Sequence, residues 1–336
     1  METASFDYEL PSTAIAQHPV EPRHDARLLV DRGPDRAPDH HHVRDLPDLV
    51  GPGDVVVVNS TRVLPARLHL RKATGGAVEV LLLEERSVGS WEALVRPSRK
   101  VAPGTVFAVD DDLELVVGER LDDGRRAVEV RSTDLLAALD RNGEVPLPPY
   151  IEAALDDPER YQTVYADRPG SVAAPTAGLH LTAQVLDGVR AAGAAIATVD
   201  LVVGLGTFRP IMSDHVEDHV MHHERFDVPE STMAACEHAD RVVAVGTTTV
   251  RALESAARSG TSAGSTGLFL TPGSEFLVVD ALLTNFHLPK SSLLVLVEAF
   301  AGPHWRDLYG AALESGYRFL SFGDAMFLQR AHEESP

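Results

Sequence analysis

The sequence lacks the features that mark several classes of protein. Its 336 residues include a single cysteine, Cys236, which excludes an internal disulfide, a CxxC redox pair and a cysteine-ligated iron–sulfur cluster. No apolar run approaches the roughly 20 residues that a membrane-spanning helix needs, since even residues 291–302 are interrupted by Glu298. The first residues have neither a basic start nor an apolar stretch, so we expect no export signal. Together these absences predict a folded cytoplasmic protein.

Basic residues are also scarce. Thirty Lys and Arg against fifty Asp and Glu give a formal net charge of −20, which excludes nucleic-acid binding through overall charge. The charges are unevenly placed, because residues 61–100 carry eight basic and four acidic side chains. Residues 110–159 carry fifteen acidic and five basic side chains. A local basic surface on an acidic protein is therefore expected.

The pattern of predicted strands and helices differs between the two parts of the chain. Residues 54–59 are a β-branched run that predicts a buried strand, and short strand-like segments with Gly-containing turns follow up to residue 130. Such spacing predicts a small β-barrel or β-sandwich. After about residue 175, predicted strands such as 276–284 alternate with predicted helices. This alternation is typical of an α/β architecture with a mostly parallel sheet.

Polar side chains follow several of the predicted strands. Thr247 and Thr248 lead directly into a helix, with Arg251 close by. Such a helix start favours a carboxylate or a phosphate, although an ordinary threonine N-cap is the more common interpretation. Asn285 and His287 also follow a strand, where an α/β sheet usually places its ligand. Other polar residues in turns of this region are His180, Lys290 and Asp324.

Two further motifs are weaker. A GxG turn at Gly204 and Gly206 fails the dinucleotide-binding pattern, because Arg209 stands where the third glycine is needed. His215, His219 and His222 are spaced i, i+4 and i+7, so on a helix they would share a face and could hold a metal. The HExxH pattern is absent, and we favour a role without metal, with one histidine beside a substrate.

Long collinear motifs then indicate a family. They run through FDYELP, IAQHP, DLPDLVGPGDVVVVNSTRVLPARL, ALVRPSRKVAPGT, ERYQTVYADRPGSVAAPTAGLHLT, GLGTFRPI, EDHVMHHE, VVAVGTTTVRALESAA, VVDALLTNFHLPKSSLLVLVEAFAG and YRFLSFGDAMF. Taken together they resemble the S-adenosylmethionine:tRNA ribosyltransferase-isomerase family of the queuosine pathway. The resemblance covers the chain almost from end to end.

The resemblance implies a fold and a reaction. The fold is a discontinuous α/β catalytic domain (1–60 and 151–336) with an inserted β-rich domain (61–150). The ribosyl part of S-adenosylmethionine would be transferred to, and isomerised on, 7-aminomethyl-7-deazaguanine at the wobble position of a tRNA with a GUN anticodon. Epoxyqueuosine would form, with release of adenine and methionine. S-adenosylmethionine is then a cosubstrate, with no bound cofactor and no metal, and a monomer without protein partners is expected.

That reaction needs a base beside the sulfonium and an acid near the departing adenine. We assign proton transfer to His180, His219, His222 and His287. We assign substrate binding to Arg62, Thr207, Phe208, Glu224, Thr247, Thr248, Arg251, Asn285, Lys290 and Asp324. Glu224 and Asp324 would face the sulfonium cation. We assign tRNA binding to Arg67, Arg71, Lys72, Arg96, Arg99 and Lys100.

The chain departs from the family's usual residues at four positions. Val202 replaces a histidine before the GxG turn, and Leu181 replaces an aromatic residue. Arg225 replaces an aromatic or small residue, and Ser60 replaces Asp or Asn. These changes leave two alternatives open beside the tRNA-modifying enzyme. One is a diverged paralogue that uses the same donor on a free deazapurine or another RNA. The other is a noncatalytic RNA-binding protein.

Overall fold

The computed structural model describes residues 1–121, 124–204 and 210–331. The strands are β1 (Arg27–Val30), β2 (Asp39–His42), β3 (Asp54–Asn59), β4 (Thr61–Val63), β5 (Arg67–Arg71), β6 (Ala77–Ser87), β7 (Ser90–Arg96), β8 (Thr105–Ala108), β9 (Glu114–Arg120), β10 (Arg126–Arg131), β11 (Arg168–Ser171), β12 (Ala195–Leu201), β13 (Glu224–Asp227), β14 (Arg241–Val245), β15 (Ala263–Thr266), β16 (Ala281–Asn285) and β17 (Ala325–Gln329). The α-helices are α1 (Leu135–Asn142), α2 (Ala183–Ala191), α3 (Glu230–His238), α4 (Thr247–Ser259), α5 (Ser292–Ala301) and α6 (Trp305–Glu314).

Contacts divide the chain into two compact units. The first contains the described residues of Met1–Thr61, Pro149–Arg168 and Ala174–Pro336. The second contains those of Arg62–Pro148 and Pro169–Ala173. No α-helix within the described residues is long and apolar enough to cross a bilayer.

The first unit is built on a nine-stranded mixed sheet in the order β15-β13-β12-β3-β14-β16-β17-β1-β2. Strands β12, β3, β14 and β16 are parallel to one another at its centre. The pairs β1–β2, β12–β13, β13–β15 and β16–β17 are antiparallel. The expectation of a mostly parallel sheet is therefore corrected to a mixed one. Its outer strands include the pair β1–β2, whose short connection has no room for a crossover helix.

Apolar side chains cover the central strands on both faces. In β3, residues Val55–Val58 are buried, which confirms the strand predicted over 54–59. Alternate residues of this strand, Val56 and Val58, pack in one core cluster with Val185 and Val189 of α2. A continuous apolar run is what a strand buried on both faces requires.

The second unit contains a six-stranded antiparallel sheet in the order β5-β6-β7-β10-β9-β8. Buried and more exposed residues alternate along β7, as expected when one face of a sheet covers a core. Arg126 is fully buried, and its guanidinium donates to the carbonyl oxygens of Gly118 and Val101. Burial lowers the pKa of this guanidinium, and the carbonyl groups satisfy its donors.

Glu254 of α4 fixes the chain that leads into β16. Its side chain is completely buried, and its carboxylate accepts the backbone N–H groups of Leu277, Val278 and Val279 at 2.9–3.1 Å. Because these N–H groups bond to a side chain rather than to a neighbouring strand, the strand predicted over 276–284 begins only at Ala281.

Replacing Glu254 should therefore destabilise the first unit. Glu254→Gln removes the charge and turns an amide N–H₂ toward backbone donors, which should cost about 2–4 kcal/mol. Urea unfolding measures the loss, and hydrogen exchange of the amides at 277–279 should accelerate. Glu237→Gln on the exposed face of α3 is the matched control. Unchanged exchange at residues 277–279 would contradict this role of Glu254.

Candidate active site

Polar side chains gather where the central parallel strands end. β12, β3, β14 and β16 end at Leu201, Asn59, Val245 and Asn285, at the same edge of the sheet. In α/β sheets, ligands bind outside this carboxyl edge. The site described below lies within the first unit.

Asn59, which the sequence analysis did not single out, links two neighbouring elements at this edge. Its Oδ1 accepts the N–H of Leu201 at 3.1 Å, and its Nδ2 donates to the Leu201 carbonyl at 3.0 Å. The same Nδ2 lies 3.4 Å from Oγ1 of Thr248 at the start of α4. In the sequence, Asn59 could have been recognised as a polar residue at the end of an otherwise apolar strand.

Asn285, at the end of β16, connects to His180. Its Oδ1 accepts the Thr176 hydroxyl at 2.9 Å, which fixes the amide so that Nδ2 faces Nε2 of His180, also at 2.9 Å. Because an amide N–H₂ only donates, Nε2 is the acceptor and the ring proton lies on Nδ1. Burial, with the nearby charges of Arg318 and Arg23, lowers the pKa of His180 to about 4. His180 is therefore neutral at pH 7.

The glycine two residues before His180 is required by sterics. A Cβ placed on Gly178 would lie 2.0 Å from the Tyr165 hydroxyl oxygen. Only glycine lets the turn at 176–180 approach Tyr165 this closely. Gly178 thus helps to position His180 by allowing this close approach.

His287 is a second buried, neutral histidine. Burial lowers its pKa to about 3, and its Nε2 lies 3.0 Å from the Thr284 hydroxyl. Its backbone is fixed on both sides, because its N–H donates to the Tyr309 hydroxyl and its carbonyl accepts the Tyr8 hydroxyl. The ring is consequently held in place at this edge of the sheet.

Two overlapping pockets of about 310 and 320 Å³ lie over this edge. Both are lined by Thr176, Asn285, His287 and Leu293. Gly246, Thr247 and Thr248 line only the second of them, which therefore includes the start of α4.

A third pocket of about 460 Å³, partly open to solvent, also contacts Leu293. We call it the Glu–Arg pocket after Glu224 and Arg251, which form a buried ion pair in its wall. Oε1 of Glu224 also accepts the N–H of Gly204 at 2.9 Å, and Nε of Arg251 donates to the Leu268 carbonyl at 3.1 Å. Strand β13 and helix α4 thus each supply one charge.

His219 and His222 also line the Glu–Arg pocket. They are not on one helix face, because only Val216–Asp218 forms a single 3₁₀ turn and the chain is irregular beyond it. The shared helix face that a metal site of His215, His219 and His222 would need is therefore absent. Burial, with a smaller effect of His222, lowers the pKa of His219. No group of three or more metal-binding side chains occurs within the described ranges.

Asp324, Lys290 and Arg62, which were also assigned to the substrate, are absent from the linings of these pockets. Both carboxylate oxygens of Asp324 accept backbone N–H groups, from Arg27 at 2.9 Å and Arg318 at 2.8 Å. These two bonds give Asp324 a structural role, and its assignment to a substrate cation stays a prediction. Lys290 pairs with Asp7 at 2.7 Å, and Arg62 belongs to the second unit. Thr207 and Phe208 lie outside the described residues.

The six basic residues assigned to tRNA all belong to the second unit. Arg67 and Arg71 are on β5, and Arg96 ends β7. Nζ of Lys72 donates to the Lys100 carbonyl, so the end of β5 lies beside the 3₁₀ turn Ser98–Lys100. Within the sheet order, β5 and the acidic strand β9 are well separated.

Comparison with known proteins identifies the family. A family model described as queuosine biosynthesis protein matches residues 3–328. Proteins named S-adenosylmethionine:tRNA ribosyltransferase-isomerase are similar over nearly all of their length: 54% identical in Rubrobacter xylanophilus, covering 98% of both chains, and 51% in Thermus thermophilus, covering 96% and 98%. A crystal structure of the S-adenosylmethionine tRNA ribosyltransferase from Thermotoga maritima is 37% identical, covers 96% of this chain and 99% of that one, and superposes with a TM-score of 0.55. The chain belongs to the queuosine biosynthesis protein family.

Proposed function

We propose that this protein is an S-adenosylmethionine:tRNA ribosyltransferase-isomerase of queuosine biosynthesis. The observation that carries this proposal is the similarity to enzymes of that name over 98% of both chains. The protein transfers the ribosyl part of S-adenosylmethionine to 7-aminomethyl-7-deazaguanine in a tRNA with a GUN anticodon, and isomerises it to epoxyqueuosine. Adenine and methionine leave. The donor is a cosubstrate, and the enzyme acts in the cytoplasm as a monomer without a bound cofactor or protein partner.

The cleft at the sheet edge supports this chemistry. Removal of a proton beside a sulfonium needs a neutral base, and departure of adenine is easier when its ring is protonated. His180 and His287 are neutral and held by neighbouring groups, whereas His219 and His222 line the Glu–Arg pocket. We assign proton transfer to these four histidines. Asn285 or Lys290 holds oxygens of the base or ribose, and the methionine carboxylate is bound by Arg251 or by the helix start at Thr247 and Thr248.

The organisation of the chain supports separate roles for the two domains. The assigned domains are an inserted domain over 61–150 and a discontinuous α/β domain (1–60 and 151–336). This assignment is supported by the compactness of the unit of Arg62–Pro148 and Pro169–Ala173. We assign catalysis to the α/β domain. The tRNA backbone is bound by the inserted domain through its basic residues.

One assay tests the reaction directly. The protein is incubated with S-adenosylmethionine and a tRNA that carries the aminomethyl-deazaguanine, and the anticodon fragment is weighed by mass spectrometry. A mass gain for the transferred ribosyl group and release of adenine are expected. Activity on the free base but not on the tRNA would select the diverged paralogue instead. No adenine release with either acceptor would leave only a noncatalytic protein.

The histidines are tested one at a time. His180→Ala, His219→Ala, His222→Ala and His287→Ala should each lower turnover more than donor binding, by about 10²–10⁴-fold for a residue that transfers a proton. Single-turnover rates and equilibrium binding of S-adenosylmethionine separate the two effects. His238→Ala, on the exposed end of α3, is the control. Wild-type turnover in all four variants would refute the assignment.

The basic residues are tested through salt dependence. Replacing Arg67, Arg71 and Lys72 by Gln should weaken tRNA binding and lower the slope of log K against log salt by about one unit per lost phosphate contact. Replacing the exposed Arg120, Arg131 and Arg141 of the acidic region removes the same charge and serves as the control. An equal change in the two triple variants would place the RNA surface elsewhere.

A further inference from the structure

The Glu–Arg pocket contains a donor group that the fold leaves without an acceptor. Of the three nitrogens of the Arg251 guanidinium, Nη1 bonds to Glu224 and Nε to the Leu268 carbonyl. Nη2 is buried and has no hydrogen-bond partner within the described part of the chain. The whole side chain is only 6% exposed. Leaving a buried guanidinium N–H unpaired costs free energy, which a bound acceptor would recover.

We propose that Nη2 of Arg251 binds the carboxylate of the methionine group of S-adenosylmethionine, and that the Glu224–Arg251 pair selects a zwitterion over a simple anion. This inference rests on the proposed function for the identity of the donor. A carboxylate oxygen is a strong acceptor for a guanidinium N–H, and the resulting charge-assisted hydrogen bond to Nη2 is strong.

The ion pair determines which ligand charge is accepted. Glu224 compensates the charge of Arg251, and both side chains are 6% exposed, so water screens neither. A phosphate or a lone carboxylate would bring an uncompensated negative charge close to Glu224. An amino-acid group brings an ammonium together with its carboxylate and adds no net charge. The pair is therefore complementary to the amino-acid end of the donor.

The remaining walls of the pocket fit the rest of a methionine chain. Met221, Phe269, Leu270 and Leu296 supply apolar surface for its methylene groups. Leu293 lines this pocket and also the two pockets around Asn285 and His287. A donor with its carboxylate on Arg251 would thus extend past Leu293, with its nucleoside toward Asn285 and His287.

The start of α4 is the competing site for the carboxylate. Thr247 and Thr248 line the pocket on the other side of Leu293 and come one helical turn before Arg251. A carboxylate bound there would reverse the donor and place the amino-acid end beside His287. The unpaired Nη2 of Arg251 favours the first orientation.

Calorimetric binding of two donors to the whole protein tests the proposal. Wild type should bind S-adenosylmethionine about 10- to 100-fold more tightly than decarboxylated S-adenosylmethionine, which keeps the sulfonium and the ammonium. Arg251→Lys should lose most of this preference, because lysine keeps the charge but not the fork. Arg258→Lys, on the same helix and outside the pockets, should retain it. Thermal unfolding verifies that each variant is folded.

Three outcomes would overturn the proposal. The first is equal affinity of wild type for the two donors, which is decisive even if Arg251→Lys does not fold. The second is an unchanged preference in folded Arg251→Lys. The third is competition with S-adenosylmethionine by inorganic phosphate as strong as that by free methionine. If wild type binds S-adenosylmethionine in none of these experiments, the proposed function fails as well, whereas the first three outcomes leave the ribosyl transfer to tRNA intact.

Discussion

The amide of Asn59 is the interaction on which the edge of the sheet depends. Regular pairing of β12 with β3 ends where Val199 faces Asn59. The Asn59 side chain then bonds both the N–H and the C=O of Leu201, so one side chain replaces a further residue of the strand. β12 can therefore end without a buried, unpaired peptide group. This lets the chain leave the sheet at Gly204, whose N–H is bound by Glu224.

The side chains at this edge of the sheet carry few net charges and are held mainly by hydrogen bonds between neutral groups. Burial keeps His180 and His287 uncharged at pH 7, and Glu224 and Arg251 compensate each other. A protein with a net charge of −20 thus has a binding site whose wall is close to neutral. In the proposed reaction, attraction of the cationic donor would come from the whole protein, whereas its orientation would come from individual hydrogen bonds.

The sequence predicted those parts of the molecule that depend on local pattern. The run DVVVVN became the central strand β3, and Asn285 and His287 lie at the edge expected of an α/β sheet. Predictions failed where a distant group decided the structure. Glu254 takes the N–H groups of residues 277–279 away from β16. The role of Asn59 depends on strands joined only in three dimensions, so spacing alone did not reveal it.

Some acidic residues of the second unit also have a structural use, which changes how their charge should be interpreted. Hydrogen bonds from Asn142 and from the Asp112 backbone lower the pKa of Asp110 to about 2, and those from Thr133 do the same for Asp112. These carboxylates accept N–H and O–H groups next to α1, which orders the turns after β8 and β10. Part of the negative charge is therefore required by the local fold. The basic residues Arg67, Arg71 and Lys72 lie on or next to β5, and none of them bonds to Asp110 or Asp112 within the described part of the chain.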